Sequence, residues 1–366
     1  MEEVTKMKRV IFTVFLVFAL AVFINGTANA QRYVTGVCSN CHTMHNSENG
    51  VAVATNNSGS VTGTPNAHLT LSTCIGCHGV SGTTVGGAPN IFGATVTSMT
   101  AAGTYNINVA NAVQNRHNPI DLNGYYSQSG DSRFTSTAPG GSGANITFTN
   151  ASTQETCAGA TGCHGNHTAG LNTSDAGIKG FHHNKTGTAY RYLQTSANVA
   201  ITGNEASDWE QSLIAAGTTS GAGLHNVYSA DINTGISQLC AQCHAAFHAT
   251  GDAGQNDPNE ISSGSWIRHP NDVNIQTVSP GLSGGTANIA TDYINTPFGF
   301  ASTDLATVTS TTAYTLASGA GGNVVCVTCH RVHGTANAFI LRFSYNSISA
   351  GSGGTSGCLN CHYNQR

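Results

Sequence analysis

The chain has 366 residues, of which only 8% are charged and 44 are glycine, a composition outside that of ordinary soluble enzymes. Its 13 basic residues are thinly scattered against 17 acidic ones, leaving no cationic stripe for phosphates and excluding nucleic acid as a partner, while the wealth of uncharged Thr, Ser, Asn, Gly and Ala is unlike the charged make-up of disordered chains. The informative numbers are 12 Cys and 16 His.

At the N-terminus, Lys6, Lys8 and Arg9 precede an apolar run from Val10 to Ile24 and a small-x-small site at Ala28-Asn29-Ala30. Residues 1–30 therefore read as a cleaved export signal. A membrane anchor is the alternative, disfavoured because the run falls short of the ~20 residues that a span needs. Residues 31–366 are then one exported domain, extracellular or at the cell surface, with the periplasm as the alternative location.

The cysteines come in pairs along this domain: Cys38 with Cys41, Cys74 with Cys77, Cys157 with Cys163, Cys240 with Cys243, Cys326 with Cys329, and Cys358 with Cys361. A histidine follows the second cysteine every time: His42, His78, His164, His244, His330 and His362. C-x-x-C-H is the attachment signature of c-type haem, in which two thiols add to the two vinyl groups and the adjacent His ligates iron. Zinc ribbons and C-x-x-C redox pairs do not require that histidine, and export removes the thioredoxin setting. The expectation is six covalent haem c groups. The third motif departs from the pattern, with five small residues between its cysteines where the others have two. Its two glycines let the backbone loop outward while the sulfurs keep vinyl spacing; a single thioether through Cys163, or a disulfide, is the alternative.

Each iron takes one more axial ligand. Only Met44 and Met99 lie beyond the signal segment, so Met/His ligation serves two haems at most, and bis-histidine ligation of most or all six is expected. Such saturated sites suit electron transfer rather than substrate binding. Four histidines lie three or four residues beyond a proximal one: His45, His167, His248 and His333. None can swing round to the far face of the haem its own segment grips, so each must reach another haem and draw two porphyrins together. His117 in Arg116-His117-Asn118-Pro119 and His269 in Arg268-His269-Pro270 complete the distal candidates, with backbones biased by proline and an arginine available for a propionate. His68, His182, His183 and His225 lack these settings and read as surface or propionate-contacting residues, with ligation by one of them the alternative.

Long stretches between motifs, such as 127–151 and 277–322, are rich in Gly, Ser, Thr and Asn and show little helical period. The predicted fold class is a multihaem c-type cytochrome: mostly coil, short helices at the motifs, a few short strands near 190–193 and 338–345, and a single elongated domain wrapped on a haem-stack core.

The motifs in order, with their contexts, resemble the hexahaem outer-surface c-type cytochromes that polymerise into conductive filaments in metal-reducing bacteria. The likeness runs through CSNCHTMHNS at 38–47, SxCxxCH at 72–78, RHN at 116, APGG at 138, CHGNH at 163, YR at 190, CAQCHAAFH at 240, IRHP at 267, CVTCHRVH at 326 and CLNCH at 358. The departures are the five-residue spacer and several loops of different length. The resemblance implies a non-catalytic conduit that self-associates into a homopolymer, with His45 ligating a neighbouring subunit's haem, the one held by Cys326, Cys329 and His330. It implies other multihaem cytochromes as donors and extracellular acceptors such as metal oxides. A monomeric periplasmic carrier is the alternative, and a multihaem oxyanion reductase a more distant one, since all six proximal positions are histidine.

Overall fold

The structure is a computed structural model. It describes residues 37–56, 59–79, 88–92, 101–105, 115–122, 138–139, 144, 146, 154–182, 189–204, 226–248, 269, 271, 273–274, 297–300, 322–349, 351 and 357–361. Residues 1–30, expected to be an export signal, and most of the stretches 127–151 and 277–322 lie outside these residues. By its own contacts Tyr33–Arg366 forms one unit, separate from the segment Met1–Arg32. No helix among the described residues is long and apolar enough to cross a membrane.

The elements are short. In chain order they are β1 (Ser47–Glu48), β2 (Val51–Ala52), α1 (Cys74–Cys77), β3 (Thr156–Ala158), β4 (Gly162–His164), α2 (Ser174–Ile178), β5 (Gly203–Asn204), β6 (Val227–Ser229), α3 (Ile236–Ala241), β7 (Val273–Asn274), β8 (Gly299–Phe300), β9 (Asn323–Val324), α4 (Cys326–Cys329) and α5 (Cys358–Cys361). Single 3₁₀ turns lie between them, among them Cys38–Asn40, Ala67–Leu69, Tyr190–Tyr192 and Ala338–Ile340. The first, second, fifth and sixth haem motifs are each one helical turn, and the fourth ends α3. One turn brings i and i+3 to one face, as two thiols on one porphyrin edge require.

The third motif is not helical. Its two halves are β3 and β4, paired in parallel with Thr156 opposite Gly162 and Ala158 opposite His164. This register sets Cys157 and Cys163 at the same level of the ladder, on chains about 4.8 Å apart. The five-residue spacer thus does with two strands what a helical turn does elsewhere. Asp121 Oδ2 fixes the arrangement by accepting from the Cys157 amide (2.8 Å) and from Ser174 Oγ (2.9 Å). Helix α2 lies directly against it: a Cβ built on Gly177 would collide with the backbone N and Cα of Gly159. Because backbone cannot yield as a side chain can, Gly177→Ala is expected to cost about 1–3 kcal/mol in denaturant unfolding and to lower haem loading at Cys157 and Cys163, read by mass.

The expected strands at 190–193 and 338–345 are instead 3₁₀ turns, Tyr190–Tyr192, Ala338–Ile340 and Tyr345–Ser347. Their apolar and aromatic content suits strands, but Arg191, Tyr192, Phe339 and Ile340 all have positive φ, which breaks any extended run. Real strands lie elsewhere. β5, β6, β8, β9 and β7 form a five-stranded sheet in that spatial order, mostly antiparallel with β6 and β8 parallel. β1 and β2 form a hairpin on Asn49-Gly50, whose φ values of 52° and 80° are those a tight primed turn needs.

Two apolar clusters underlie these elements. One gathers Tyr190, Leu193, Ile201, Tyr228, Ala230, Ile236, Leu239, Val325 and Val327, with Cys163 and Val332 packed on it. The other holds Ile75, Phe92, Tyr105 and Leu122.

Candidate haem-ligating site

Every described proximal histidine is held the same way. Its Nδ1–H donates to a backbone carbonyl: His42 to His68 at 3.1 Å, His78 to Pro89 at 2.9 Å, His164 to Arg191 at 2.9 Å, His244 to Pro139 at 2.6 Å and His330 to Phe339 at 3.0 Å. A carbonyl only accepts, so the proton sits on Nδ1 and the Nε2 lone pair remains for a metal; the bond also orients the ring and makes it a stronger ligand. His362 lies outside the described residues.

The carbonyls come from two devices that alternate along the chain. For the second and fourth motifs the acceptor is the proline of an Ala-Pro step, Ala88-Pro89 and Ala138-Pro139. For the first, third and fifth it is the first of two successive left-handed residues: His68 and Leu69 (φ 57° and 54°), Arg191 and Tyr192 (53° and 59°), Phe339 and Ile340 (60° and 52°). The surrounding bonds repeat as well. The amide after each proximal histidine donates to the second left-handed residue: Thr43 to Leu69, Gly165 to Tyr192, Arg331 to Ile340. The proximal histidine itself bridges the next residue: His42 to Thr70, His164 to Leu193, His330 to Leu341. A left-handed non-glycine residue costs about 1–2 kcal/mol. Six such residues in three identical joints aim a carbonyl at a ligand. All three motifs that carry the joint also carry C-H-x-x-H, at His45, His167 and His333.

The distal candidates fall into distinct settings. His117 donates from Nδ1 to the Val332 carbonyl at 2.6 Å, and its ring centroid lies 6.2 Å from that of His244. Two imidazoles in trans on one metal, each bonded at about 2 Å, are held with ring centres roughly 6 Å apart. Both Nδ1 atoms are engaged, which leaves both Nε2 atoms as the nitrogens that could hold a metal. His167 is buried with neither ring nitrogen hydrogen-bonded, and the buried Nδ1 of His333 is likewise without a partner. Buried polar atoms without protein partners are rare and call for an absent group. His333 stacks on Tyr105 with centroids 5.0 Å apart. Burial pushes its pKa down to about 3, helped by neighbouring His164, His117 and His78, and burial pushes His164 down to about 4. Both are therefore neutral imidazoles, the form that ligates.

His248 ends the 3₁₀ turn Ala245–Phe247, and His269 is exposed. The side-chain amide of Asn271, two residues beyond His269, donates to the Phe247 carbonyl at 2.9 Å, so the two histidine segments adjoin. His45 is exposed beside Met44, which is 81% exposed. Arg116 is buried and donates from Nε to Asn118 rather than standing free at the surface. His68, set aside in the sequence reading, contributes its backbone carbonyl to the first joint. His182, also set aside, lies with its ring centroid 6.5 Å from that of His78. His183 and His225 lie outside the described residues.

None of the eleven described cysteines is in a disulfide. Among the described residues no three His, Cys, Asp or Glu side chains gather as a structural zinc site would need. Unbridged thiols in pairs, followed in the five described cases by a histidine with its Nδ1 engaged, fit covalent haem.

These features define a multihaem c-type cytochrome, carrying haem c covalently at its C-x-x-C-H motifs. The family described as a doubled CXXCH motif matches residues 318–366, which hold the fifth and sixth motifs. Among solved structures the chain is similar to the outer membrane cytochrome S filament from Geobacter sulfurreducens, with a TM-score of 0.50 and 20% identity over 87% of this chain and 85% of that one. It also matches the OmcS nanowires of the same organism, solved by cryo-EM, with a TM-score of 0.44 and 19% identity over 91% of each chain. No curated protein matches.

Proposed function

We propose that this protein is a non-catalytic, extracellular electron conduit that holds six haem c groups, each ligated by two histidines, and polymerises into a filament. The observation that supports this reading is the His117–His244 pair, two imidazoles with Nδ1 engaged and ring centroids 6.2 Å apart, which would hold one haem iron from both sides and leave it no position for a substrate. The haem iron supplies one-electron Fe(III)/Fe(II) exchange. The chain's own work is to keep imidazoles neutral, fix their tautomer and exclude water around them. His167, buried with neither ring nitrogen hydrogen-bonded, and His333, whose buried Nδ1 has no hydrogen-bond partner, support ligation beyond one haem.

Self-association is supported by the exposed His45 beside Met44, which is 81% exposed, and by the filament form of the similar solved structure. A head-to-tail contact that does not close into a ring gives a filament. The low charge leaves little repulsion against it. On this reading His45 ligates the haem of a neighbouring subunit's fifth motif, the donors are other multihaem cytochromes, and the acceptors are extracellular solids such as metal oxides.

Electron microscopy of the secreted holoprotein, with haem counting by mass, tests the proposal. Filaments of six-haem subunits with only low-spin ferric signals are expected. Monomers at micromolar concentration would favour the periplasmic carrier, and a high-spin haem that binds carbon monoxide would favour the reductase.

A further inference from the structure

Ligation by His182 was only the alternative reading of the sequence, yet the separation of its ring from that of a proximal histidine nearly repeats the one at His117. The ring centroids of His78 and His182 are 6.5 Å apart, against 6.2 Å for His244 and His117. Both values are close to the roughly 6 Å that two trans imidazoles on one metal impose. His78 Nδ1 donates to the Pro89 carbonyl, so its Nε2 is the ligating atom.

The location of His182 is built, not incidental. It follows α2 through a turn in which the Phe181 amide donates to the Ile178 carbonyl at 2.9 Å. Helix α2 is fastened at both ends: Ser174 Oγ donates to Asp121, and the Gly177 carbonyl accepts from the Asn166 amide at 2.7 Å. Gly177 packs directly on Gly159, where no side chain would fit. The ring of Tyr192, the second left-handed residue of the joint at the third motif, lies 5.7 Å from His182 and braces its other side. The clamp that holds the third haem's cysteines thus also delivers His182 to the second haem's proximal ligand.

We infer that His182 is the second axial ligand of the iron held by His78. The inference rests on the bis-histidine reading above, and it makes α2 a strut between the second and third haems. It also leaves one of the sequence-chosen distal histidines for another role.

The test is ferric electron paramagnetic resonance and carbon monoxide binding by the reduced holoprotein, for the wild type, His182→Ala, His182→Met and His183→Ala. The wild type and His183→Ala are expected to show only low-spin haem and no carbon monoxide binding. His182→Ala is expected to convert one haem to high spin and bind one carbon monoxide per subunit, with added imidazole restoring low spin. His182→Met is expected to give one His/Met haem at higher potential, and it carries the test should the alanine variant not be isolated. His182 variants indistinguishable from wild type would overturn the assignment and leave bis-histidine ligation standing. High-spin haem in the wild type would instead overturn the bis-histidine reading itself.

Discussion

Replacing His45 by alanine is expected to leave the secreted protein as single subunits with six covalent haems. His45 is the first distal candidate in the chain, and it is exposed, whereas its counterparts in the other two C-H-x-x-H motifs, His167 and His333, have buried ring nitrogens. The three share one local joint, so an exposed first member is the one left to serve a neighbour. Losing even an outer-shell partner of a metal ligand costs about 10–100-fold in affinity, and loss of the ligand itself should exceed that. Sedimentation velocity should therefore show the subunit–subunit dissociation constant rising more than about 100-fold. One haem per subunit should turn high spin. Added imidazole should restore the low-spin spectrum without restoring filaments, because it fills the iron position but links nothing. Filaments of His45→Ala with an unchanged spectrum would overturn the trans-ligand model.

Depriving the chain of haem is expected to abolish the fold. Among the described residues, two apolar clusters contain nine and four buried residues. The described helices span four to six residues, far below the ~12–15 at which an isolated helix becomes even marginal in water. The strands are two or three residues long and come from segments far apart in sequence. Nothing in this inventory offsets a backbone entropy of about 1–2 kcal/mol per residue. The missing apolar interior is the porphyrins, as binding and folding merge in small metal-dependent domains. Protein made in a host lacking haem attachment, or with all twelve cysteines changed to serine, should give a coil-like circular dichroism spectrum and be digested rapidly. A cooperative melt and native-like spectrum from haem-free chain would overturn this.

The chemistry was legible in sequence because it is local. Each C-x-x-C-H is five adjacent residues with one meaning, and the His117 and His333 contexts led directly to a ring facing a proximal histidine and to a buried orphan nitrogen. The third motif was read as haem attachment without any sign of its two strands, since a parallel ladder joined by Gly159-Ala160-Thr161 has no recurrent sequence signature. The Asn49-Gly50 hairpin was readable and was missed. The three joints were unreadable: NAHLT and NAFIL share an Asn-Ala start that AYRYL lacks, and left-handed His68, Arg191 and Phe339 violate the usual preference for glycine. Only the carbonyl matters there, and sequence does not encode a carbonyl's direction. His182 escaped for a related reason, because its partner is set by how α2 docks, not by any neighbour in the chain.

The same joint is closed by connections of quite different size: the bonded residues are 26 apart at the first, 27 at the third and 9 at the fifth motif. Tripling such a connection adds only about 1 kcal/mol of closure entropy. Insertions and deletions in these spans are therefore nearly neutral to the joints, so the connecting loops can diverge in length and chemistry while each carbonyl stays aimed at its histidine.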